Sequence, residues 1–362
     1  MNRAYNFAAG PAMLPEEVIR GAQAAVGDFG GRGISLLELG HRTPVFEGVV
    51  LELKAHVKSL LNVPDDYDII FCPGGGRMQF SMVPLNLTTQ GCRGGYVVTG
   101  IFSKAASAEA RRISRETTLW SGSGRDLPKN VIRLPRNIDF VYFCDNETAN
   151  GTEFRGLPAV DRLNAVFVSD MTSNFMSRPV DVRRYGVIWA GVQKNFGTAG
   201  LACVIIRRCL LGNAGPKVPM LLNWANYART ESVPNTPPVL QFYVSLLMAR
   251  WIEKEGGLEE MASRAEERSS ILYKAVDDMA DFYVGAPEPR VRSRMNAVFT
   301  LADEKLLPEF LHDAAEEGLM NLAGHREVGG IRVSMYNAMP VEGVVRLVDF
   351  MKRFAGRHVH AD

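Results

Sequence analysis

Residues 185–207 read YGVIWAGVQKNFGTAGLACVIIR. Two apolar runs rich in β-branched residues, each as long as a buried strand, flank a short segment of Gly, Thr and Ala. Glycines at positions 191, 197 and 200 permit a tight turn and leave space beside the one lysine of the segment, Lys194. The stretch therefore predicts two buried strands joined by a turn that carries a lysine.

Lys194 has a structural and a functional interpretation. A buried ammonium group is unfavourable unless it pairs with an anion, loses its charge or reacts. In the structural interpretation the lysine is ion-paired, or its stem lies on apolar surface while the amine reaches water. In the functional interpretation the amine is a nucleophile that bonds to a carbonyl compound. The stretch alone leaves both open.

The composition is that of an ordinary globular protein. The 362 residues are 46% hydrophobic and 22% charged, which is enough chain for a large core and two domains. Lysine and arginine total 41 against 40 aspartate and glutamate residues, so the formal net charge is +1. This balance provides no general basic field, and we therefore expect no nucleic-acid partner.

Neither a membrane span nor a secretory signal is visible. No uninterrupted apolar run approaches the length of a membrane-spanning helix, and the opening MNRAYNFAAGPAMLPEEV contains no apolar core. Cysteines occur without CxxC or zinc-binding spacing, at Cys72, Cys92, Cys144, Cys203 and Cys209. This usage is typical of core thiols in a reducing compartment, so we expect a cytoplasmic protein with no metal site.

A glycine-rich turn follows the apolar strand at 67–71. Gly74, Gly75, Gly76 and Arg77 lie between this strand and the start of a helix. The backbone N–H groups of the glycines and the N-terminus of the helix would converge on one position there, and Arg77 adds positive charge. The pattern is neither GxGxxG nor a Walker A loop. It favours a phosphate site, with a plain glycine-rich turn as the alternative.

Further functional side chains follow other buried strands at the point where each ends. Phe102 follows one strand, Asn146 and Thr148 follow the next, and Asp170 follows a third. Helix-length segments between strands predict a mostly parallel sheet, whose carboxyl ends share one edge. A phosphate site, an aromatic ring, a carboxylate and Lys194 at that edge are what pyridoxal phosphate requires. The lysine bonds to the aldehyde, and the carboxylate keeps the ring nitrogen protonated.

The predicted order of elements gives an α/β fold with a second, smaller α+β domain after the helix that ends near residue 257. Segment 121–137 is rich in Gly, Pro and charge and is expected to be a surface connection, and segment 213–238 is rich in Asn and Pro and ends in a sharp stop at residues 235–238. Helices are predicted at about 15–27, 44–61, 240–257, 258–280, 303–318 and 341–355, with one more after Phe102. Strands are predicted at about 67–71, 95–99, 140–144, 165–169, 185–190, 201–207, 282–284, 297–299 and 331–336.

Taken together, the motifs resemble the phosphoserine aminotransferases, which are fold-type I, class V pyridoxal-phosphate enzymes. The likeness runs nearly from end to end. It implies a large domain at 15–257 with a mostly parallel seven-stranded sheet, and a small domain formed by 1–14 and 258–362. The segments that carry it are NFAAGPAMLPEEV, the pair His41-Arg42, FCPGGGRMQF, NET at 146–148, SDMTSNFMSRPVDVRRYGVIWAGVQKNFGTAGL, NTPP, RSRMN at 292–296 and GHREVGGIRVSMYNAMP.

The resemblance also implies roles for individual residues. Lys194 would bind pyridoxal phosphate covalently and shuttle the proton of the substrate α-carbon, and Asp170 would pair with the ring nitrogen. The other implied cofactor contacts are Gly76, Arg77, Phe102, Thr148 and Gln193, with Asn235 and Thr236 reaching the phosphate in the partner subunit of a homodimer. The substrate anions would be bound by His41, Arg42, His325, Arg326 and Arg332, since arginine suits both carboxylate and phosphate.

Two positions differ from the family pattern. Ala9 stands where the NF-x-x-GP segment usually has serine, so one hydroxyl contact to a substrate carboxylate is missing. The aromatic residue that stacks on the cofactor is usually tryptophan, and here it is Phe102, which offers less ring area and no N–H donor. Both changes bear on affinity and substrate range.

The implied reaction transfers the amino group of L-glutamate to 3-phosphohydroxypyruvate, giving O-phospho-L-serine and 2-oxoglutarate in two half-reactions. The family also acts on a phosphorylated hydroxy-oxobutanoate in vitamin B6 synthesis, and the sequence leaves that activity open. The alternatives are another class V aminotransferase of the alanine–glyoxylate or serine–pyruvate type, a cysteine desulfurase, or a non-catalytic binder. The paired Lys194 and Asp170 argue against a non-catalytic binder, and no cysteine on an evident mobile loop supports a desulfurase.

Overall fold

The computed structural model describes residues 3–88 and 93–359, so Cys92 lies outside the described residues. Helices form where apolar residues recur every three to four positions. In chain order they are α1 (Glu16–Gly27), α2 (Pro44–Leu60), α3 (Gly75–Leu87), α4 (Ile101–Ile113), α5 (Trp224–Arg229), α6 (Val239–Lys254), α7 (Gly257–Asp278), α8 (Leu307–Glu316) and α9 (Val341–Val359). In the described part of the chain, none of these helices is long and apolar enough to cross a membrane.

Strands occupy the short apolar runs between the helices. They are β1 (Tyr5–Asn6), β2 (Tyr67–Pro73), β3 (Arg93–Val98), β4 (Arg115–Ser121), β5 (Phe140–Cys144), β6 (Asn146–Glu147), β7 (Thr152–Glu153), β8 (Val166–Asp170), β9 (Val187–Gly191), β10 (Leu201–Arg207), β11 (Tyr283–Val284), β12 (Asn296–Leu301), β13 (Leu319–Met320) and β14 (Ile331–Ser334).

A seven-stranded sheet in the order β2-β10-β9-β8-β5-β3-β4 forms the centre of the molecule. Strands β9, β8, β5, β3 and β4 run parallel to one another, and β10 is antiparallel to both of its neighbours. The prediction of a mostly parallel seven-stranded sheet is therefore confirmed. All residues of β5 and β9 are buried, as expected for central strands covered on both faces.

Helices cover both faces of this sheet. On one face α3, α4 and α5 pack over Tyr96, Tyr142 and Trp189. On the other face α2 and α6 pack over Phe71 and Phe143. Because helices cover both faces, they also shield the side chains at the carboxyl ends of the strands from bulk water.

A second core surrounds the antiparallel sheet β11-β12-β14. Helices α7, α8 and α9 contribute to it, and β1 joins it from the N-terminal end by pairing in parallel with β13. Helix α7 begins in the first core at Leu258 and ends in the second at Leu272 and Val276. The predicted division of the chain at residue 257 stays a prediction, because α7 belongs to both cores.

Some elements differ from their predicted limits. The sequence did not predict strand β4. Its segment, RETTLWS, is rich in charged and polar residues, because β4 is an edge strand whose residues are exposed or partly exposed. Helix α5 has only six residues, too few to show a helical period. Helix α8 starts at Leu307 rather than 303, because residues 304–306 form a separate turn capped by the Asp303 side chain, which accepts the N–H of Lys305. The two-residue strands β1 and β13 are too short to predict.

Candidate active site

A cavity of about 270 Å³ opens at the carboxyl ends of the parallel strands. Strands β5, β8 and β9 and the turn after β9 supply its floor, and β14 with the preceding loop supplies its rim. The residues predicted for the site that line this cavity are Gly76, Arg77, Phe102, Thr148, Asp170, Gln193, Lys194, His325 and Arg332. The large sheet and the small antiparallel sheet thus bring together residues that are more than 250 positions apart in sequence (roughly, from Gly76 to Arg332).

Asp170 lies in a row of three buried side chains on the floor. The strand register pairs it with Cys144 on β5 and with Trp189 on β9, and all three line the cavity. Its Oδ1 accepts the N–H of Thr172 at 2.9 Å. Burial raises the pKa of Asp170 to about 6, while the hydrogen bonds from Thr172 and the charge of Lys194 act in the opposite direction. The carboxylate is thus held at a desolvated position facing the cavity.

Lys194 extends into the same space. Its Nζ donates to Ser173 Oγ at 2.8 Å and to Thr148 Oγ1, and it lies 5.3 Å from the centroid of the Phe102 ring. Burial lowers the pKa of Lys194 to about 8, partly offset by the charge of Asp170. Its hydrogen bonds go to hydroxyl groups, and it forms no salt bridge with any described residue. The structural interpretation of an ion-paired lysine therefore does not fit this geometry.

The glycine-rich turn shapes one end of the cavity. Gly74 and Gly75 have φ angles of +95° and +67°, which L side chains rarely adopt, and helix α3 begins directly after Gly74. Close by, Gln193 Oε1 is buried without a hydrogen-bond partner among the described residues. A Cβ atom on Gly191 would come within 2.5 Å of that oxygen. The backbone N–H groups at the start of α3, together with Arg77, can bind a phosphate group.

Glu147, which the sequence analysis named only within the NET segment at 146–148, fixes the position of Phe102. Glu147 is fully buried and accepts the N–H groups of Phe102 at 3.0 Å and Ser103 at 2.8 Å. Burial raises the pKa of Glu147, and the hydrogen bonds from Ser103 and Phe102 lower it. The carboxyl group thus occupies the N-terminus of α4 and satisfies donors that a helix leaves free.

Positive charge lines the rim of the cavity. Arg332 is partly buried, and its Nε has no hydrogen-bond partner in the described chain. The pKa of His325 is lowered by burial and by the charges of Arg332, Arg326 and Arg77. The His325 ring meets the Phe102 ring edge to face, with 6.3 Å between centroids. This rim can bind an anionic substrate group beside the lysine.

Five of the residues predicted for the site lie outside this cavity. His41 and Arg42 line a separate depression that also includes Thr230 and Val233. Arg326 lies in a groove next to the cavity. Asn235 and Thr236, which were predicted to reach a partner subunit, are likewise absent from the lining of the cavity.

The sequence missed a set of buried polar residues that holds the lysine turn. Asn195 Nδ2 donates to the backbone oxygen of Ser173 at 3.0 Å, and Asn195 Oδ1 accepts the N–H of Asn337 at 2.9 Å. The Tyr336 hydroxyl donates to the backbone oxygen of Ala9 at 2.9 Å, so Ala9 contributes a carbonyl to the cavity wall. The signals for these roles were slight: Asn195 follows Lys194, and Ser173 follows Asp170 by three positions.

Comparison with known proteins gives matches over the full length. The sequence profile of the family Aminotransferase class-V matches residues 4–347. A phosphoserine aminotransferase from Acidithiobacillus ferrooxidans (strain ATCC 53993 / BNL-5-31) is 42% identical over 358 residues, which cover 98% of this chain and 98% of the relative.

Solved structures give the same result. Phosphoserine aminotransferase from Bacillus circulans subsp. alkalophilus is similar with a TM-score of 0.95 and 37% identity, covering 99% of this chain and 100% of that one. The PLP-bound phosphoserine aminotransferase from Trichomonas vaginalis is similar with a TM-score of 0.91 and 33% identity, covering 97% of this chain and 100% of that one.

Proposed function

This chain belongs to the phosphoserine aminotransferases among the class V aminotransferases, and we propose that it transfers the amino group of L-glutamate to 3-phosphohydroxypyruvate, giving O-phospho-L-serine and 2-oxoglutarate. The cofactor is pyridoxal phosphate. One observation carries the proposal: a desolvated lysine and a desolvated carboxylate share a cavity whose rim holds unpaired basic groups. An amino-transfer site for doubly anionic substrates requires this combination.

The residues of the cavity fit the cofactor. The glycine-shaped start of α3 leaves room and backbone N–H donors for a phosphate group, and the side-chain amide of Gln193, whose oxygen has no partner among the described residues, can turn its NH2 group toward it. Asp170 is proposed to hold the ring nitrogen protonated, and Phe102 is proposed to stack on the ring; both line the cavity with Lys194. When bound, pyridoxal phosphate supplies an electron sink for the bonds at the substrate α-carbon.

Lys194 is proposed to bond to the cofactor and, once released, to move the substrate proton. Its lowered pKa leaves a substantial neutral fraction near neutral pH, and only a neutral amine can accept a proton from the α-carbon. Thr148 and Ser173 hold Nζ by hydrogen bonds without neutralising it with a fixed negative charge. Nζ can thus take the proton from the α-carbon of the amino-group donor and pass it to the bound cofactor, and in the second half-reaction it can carry a proton in the opposite direction to the α-carbon of the acceptor.

Arg332 and His325 are proposed to bind the substrate anions. L-glutamate carries a side-chain carboxylate, and 3-phosphohydroxypyruvate carries a phosphate in its place. One basic rim can serve both, because guanidinium groups form charge-assisted pairs with either anion. Arg326 is proposed to join them from the neighbouring groove.

A homodimer with shared sites is proposed as the active unit. His41, Arg42, Asn235 and Thr236 lie away from the cavity of their own chain, yet His41 and Arg42 share a depression with Thr230 and Val233, just before Asn235. Leu37 and Leu51 are exposed apolar side chains in the same N-terminal part of the chain, 64% and 47% exposed. The proposed role of this face is to bind a second copy and contribute these polar residues to its cavity.

We also propose a large domain at 15–257 and a small domain formed by 1–14 and 258–362. The two separate cores and the pairing of β1 with β13 support this division.

A cytoplasmic location is proposed from the cysteine usage, with Cys72, Cys144 and Cys203 buried as free thiols in the described chain.

The proposed reaction is tested by comparing acceptors with L-glutamate as the donor. The kcat/KM for 3-phosphohydroxypyruvate should exceed that for hydroxypyruvate or glyoxylate by at least about tenfold, because one charge-assisted hydrogen bond contributes roughly 1.5–3 kcal/mol. Lys194→Ala should abolish turnover with every acceptor. Equal kcat/KM values for the phosphorylated and unphosphorylated acceptors would instead favour a class V enzyme of the alanine–glyoxylate or serine–pyruvate type.

A further inference from the structure

A groove runs from the mouth of the cavity along helix α4, and the function described above does not use most of it. Arg77 lines both the cavity and the groove. Neighbouring residues continue from one to the other, since Phe102 and His325 line the cavity while Ile101 and Arg326 line the groove. We call this the basic groove, and it is formed by Arg77, Ile101, Lys104, Arg111, residues 121–124 and Arg326.

The charge in the basic groove is strongly one-sided. Among the described residues, four cationic side chains and a single carboxylate, that of Glu327, line it. Arg111 is paired with Glu116 at 2.8 Å. Arg77, Lys104 and Arg326 form no salt bridge with any described residue. The whole chain has a formal net charge of only +1, so this positive field is local rather than general.

The backbone N–H groups at the N-terminus of α4 are not what would attract an anion to the groove. Its free N–H groups are already satisfied, because Glu147 accepts from Phe102 and Ser103, and Asn150 Oδ1 accepts from Ile101 at 3.2 Å. The attraction for an anion therefore comes from the unpaired side chains. The positive field reaches the rim, where the charges of Arg326 and Arg77 help to lower the pKa of His325.

We propose that the basic groove captures phosphorylated acids at the mouth of the cavity, and that Lys104 attracts them by charge without touching the reacting atoms. This proposal rests on the function proposed above, because it requires an anionic substrate. A groove lined by charge of one sign concentrates oppositely charged substrates and raises their association rate. A substrate with a phosphate and a carboxylate gains most, since the attraction scales with its charge.

Charge substitutions at Lys104 in the purified holoenzyme test the proposal. Lys104→Glu should lower kcat/KM for 3-phosphohydroxypyruvate about fivefold at ~0.1 M ionic strength, where the Debye length is about 10 Å. The loss should shrink to less than about twofold at ~1 M salt, where the Debye length falls to about 3 Å. Lys104→Gln should give a smaller loss, because it removes one charge and adds none. The kcat of both variants should equal that of the wild type.

Two controls separate the groove from a general effect. Lys352→Glu makes the same charge change at an exposed lysine of α9 that lines none of the cavities above, and it should leave kcat/KM unchanged. Hydroxypyruvate carries less charge, so Lys104→Glu should affect it much less than the phosphorylated acceptor. Three results would each overturn the proposal. These are an equal loss of kcat/KM for both acceptors in Lys104→Glu, an equal loss of kcat/KM in Lys104→Glu and Lys352→Glu, and a loss of kcat/KM that does not depend on salt.

The outcome for the groove is separable from the outcome for the reaction. A wild-type enzyme that does not prefer the phosphorylated acceptor contradicts the proposed reaction, whatever the variants do. A wild-type enzyme that prefers it, with a kcat/KM and salt dependence unchanged in Lys104→Glu, contradicts only the role of the groove. Because Lys104 is exposed, unfolding is not expected to interfere, and an unchanged visible spectrum of the cofactor checks this.

Discussion

At the scale of single residues, the environment of Lys194 decides what this site can do. The amine is surrounded by two hydroxyl groups and an aromatic ring, and Asp170 acts on it only through its charge. Burial disfavours the ammonium form more than Asp170 favours it, so the pKa falls to about 8. An exposed lysine would be almost fully protonated at neutral pH and would be a poor nucleophile.

The pH dependence of cofactor attachment follows from this shift. Once the cofactor is removed, the rate at which the apoenzyme regains its lysine-dependent visible absorbance should rise with pH and level off above about 8. Asp170→Asn should move this midpoint to lower pH, because the charge that favours the ammonium form is gone. A free lysine derivative mixed with pyridoxal phosphate is the control, and its midpoint should lie near 10.4. A midpoint near that value in the protein would contradict the assignment.

Phe102 and Ala9 are the two residues that the resemblance predicts to differ from the usual family pattern. Phe102 keeps a ring face 5.3 Å from Lys194 Nζ but offers no N–H donor. Ala9 contributes its backbone oxygen to Tyr336 rather than a hydroxyl to the cavity. Both positions line the cavity, so their effect is expected in substrate and cofactor affinity rather than in the chemistry.

At the scale of elements, the start of α4 is held by the short strand β6, which follows β5 of the large sheet. Glu147 lies in the short strand β6, and its carboxyl group accepts hydrogen bonds from the first turn of the helix that carries Phe102. A Cβ atom on Gly100 would come within 2.7 Å of this carboxyl group, so the helix can approach it only through a glycine. One buried side chain thus fixes where the helix begins and where its ring points.

Removal of the Glu147 carboxyl group should therefore affect both stability and cofactor binding. Glu147→Ala leaves buried N–H groups without acceptors, which should destabilise the fold by about 1–3 kcal/mol. It should also weaken pyridoxal-phosphate affinity by several-fold, since a stacked ring contributes roughly 0.5–1.5 kcal/mol. Urea unfolding and a titration of the apoenzyme with the cofactor measure the two effects. Glu147→Gln retains one acceptor and should lose less on both measures; a Glu147→Ala protein with unchanged cofactor affinity would exclude the positioning role.

At the scale of the whole molecule, polar contacts join the short β6-β7 pair, which follows β5 of the large sheet, to the start of β12 in the small sheet. Asn146 Nδ2 donates to Asn296 Oδ1 at 2.7 Å, and Arg294 Nη2 donates to Glu153 Oε1 at 2.6 Å. The segment with Lys194 is held in the same way, through Asn195 and Asn337. These contacts hold Arg332, on β14 of the small sheet, at a fixed position relative to Lys194 in the turn that follows β9 of the large sheet.

The proposed homodimer is also a property of the whole molecule. A chain with Lys194→Ala and a chain with both Asn235→Ala and Thr236→Ala should each form a poorly active homodimer. In a mixed dimer, one cavity combines the intact Lys194 of one chain with the intact Asn235 and Thr236 of the other. Denaturing and refolding an equal mixture should restore about a quarter of wild-type activity if chains pair at random.

The control for this mixing experiment is the same pair of proteins combined without denaturation. Subunits that do not exchange should give no recovery in that sample. Activity that stays at the sum of the two separate proteins after refolding would show that each cavity is built from one chain. That result would leave Asn235 and Thr236 without a role in the cofactor site.

The sequence determined the elements and the chemistry at the strand ends. The spacing of apolar residues and the presence of turn residues depend only on neighbouring positions in the sequence. They therefore predicted the limits of α1, α2 and β10 closely. The order of strands and helices predicted the parallel sheet, and a parallel sheet requires that its carboxyl ends meet at one edge. The convergence of Gly76, Phe102, Thr148, Asp170 and Lys194 followed from that rule alone.

Only the tertiary structure determined which residues surround Lys194 and Asp170, and which of the predicted site residues lie outside the cavity. Burial set the pKa values of Lys194 and Asp170, and burial depends on everything packed around a residue rather than on its neighbours in sequence. The same is true of Glu147 under Phe102 and of the three unpaired cations in the basic groove. The separation of His41 and Arg42 from Lys194 also required the fold, because the distance between two segments is fixed by packing and not by their order in the chain.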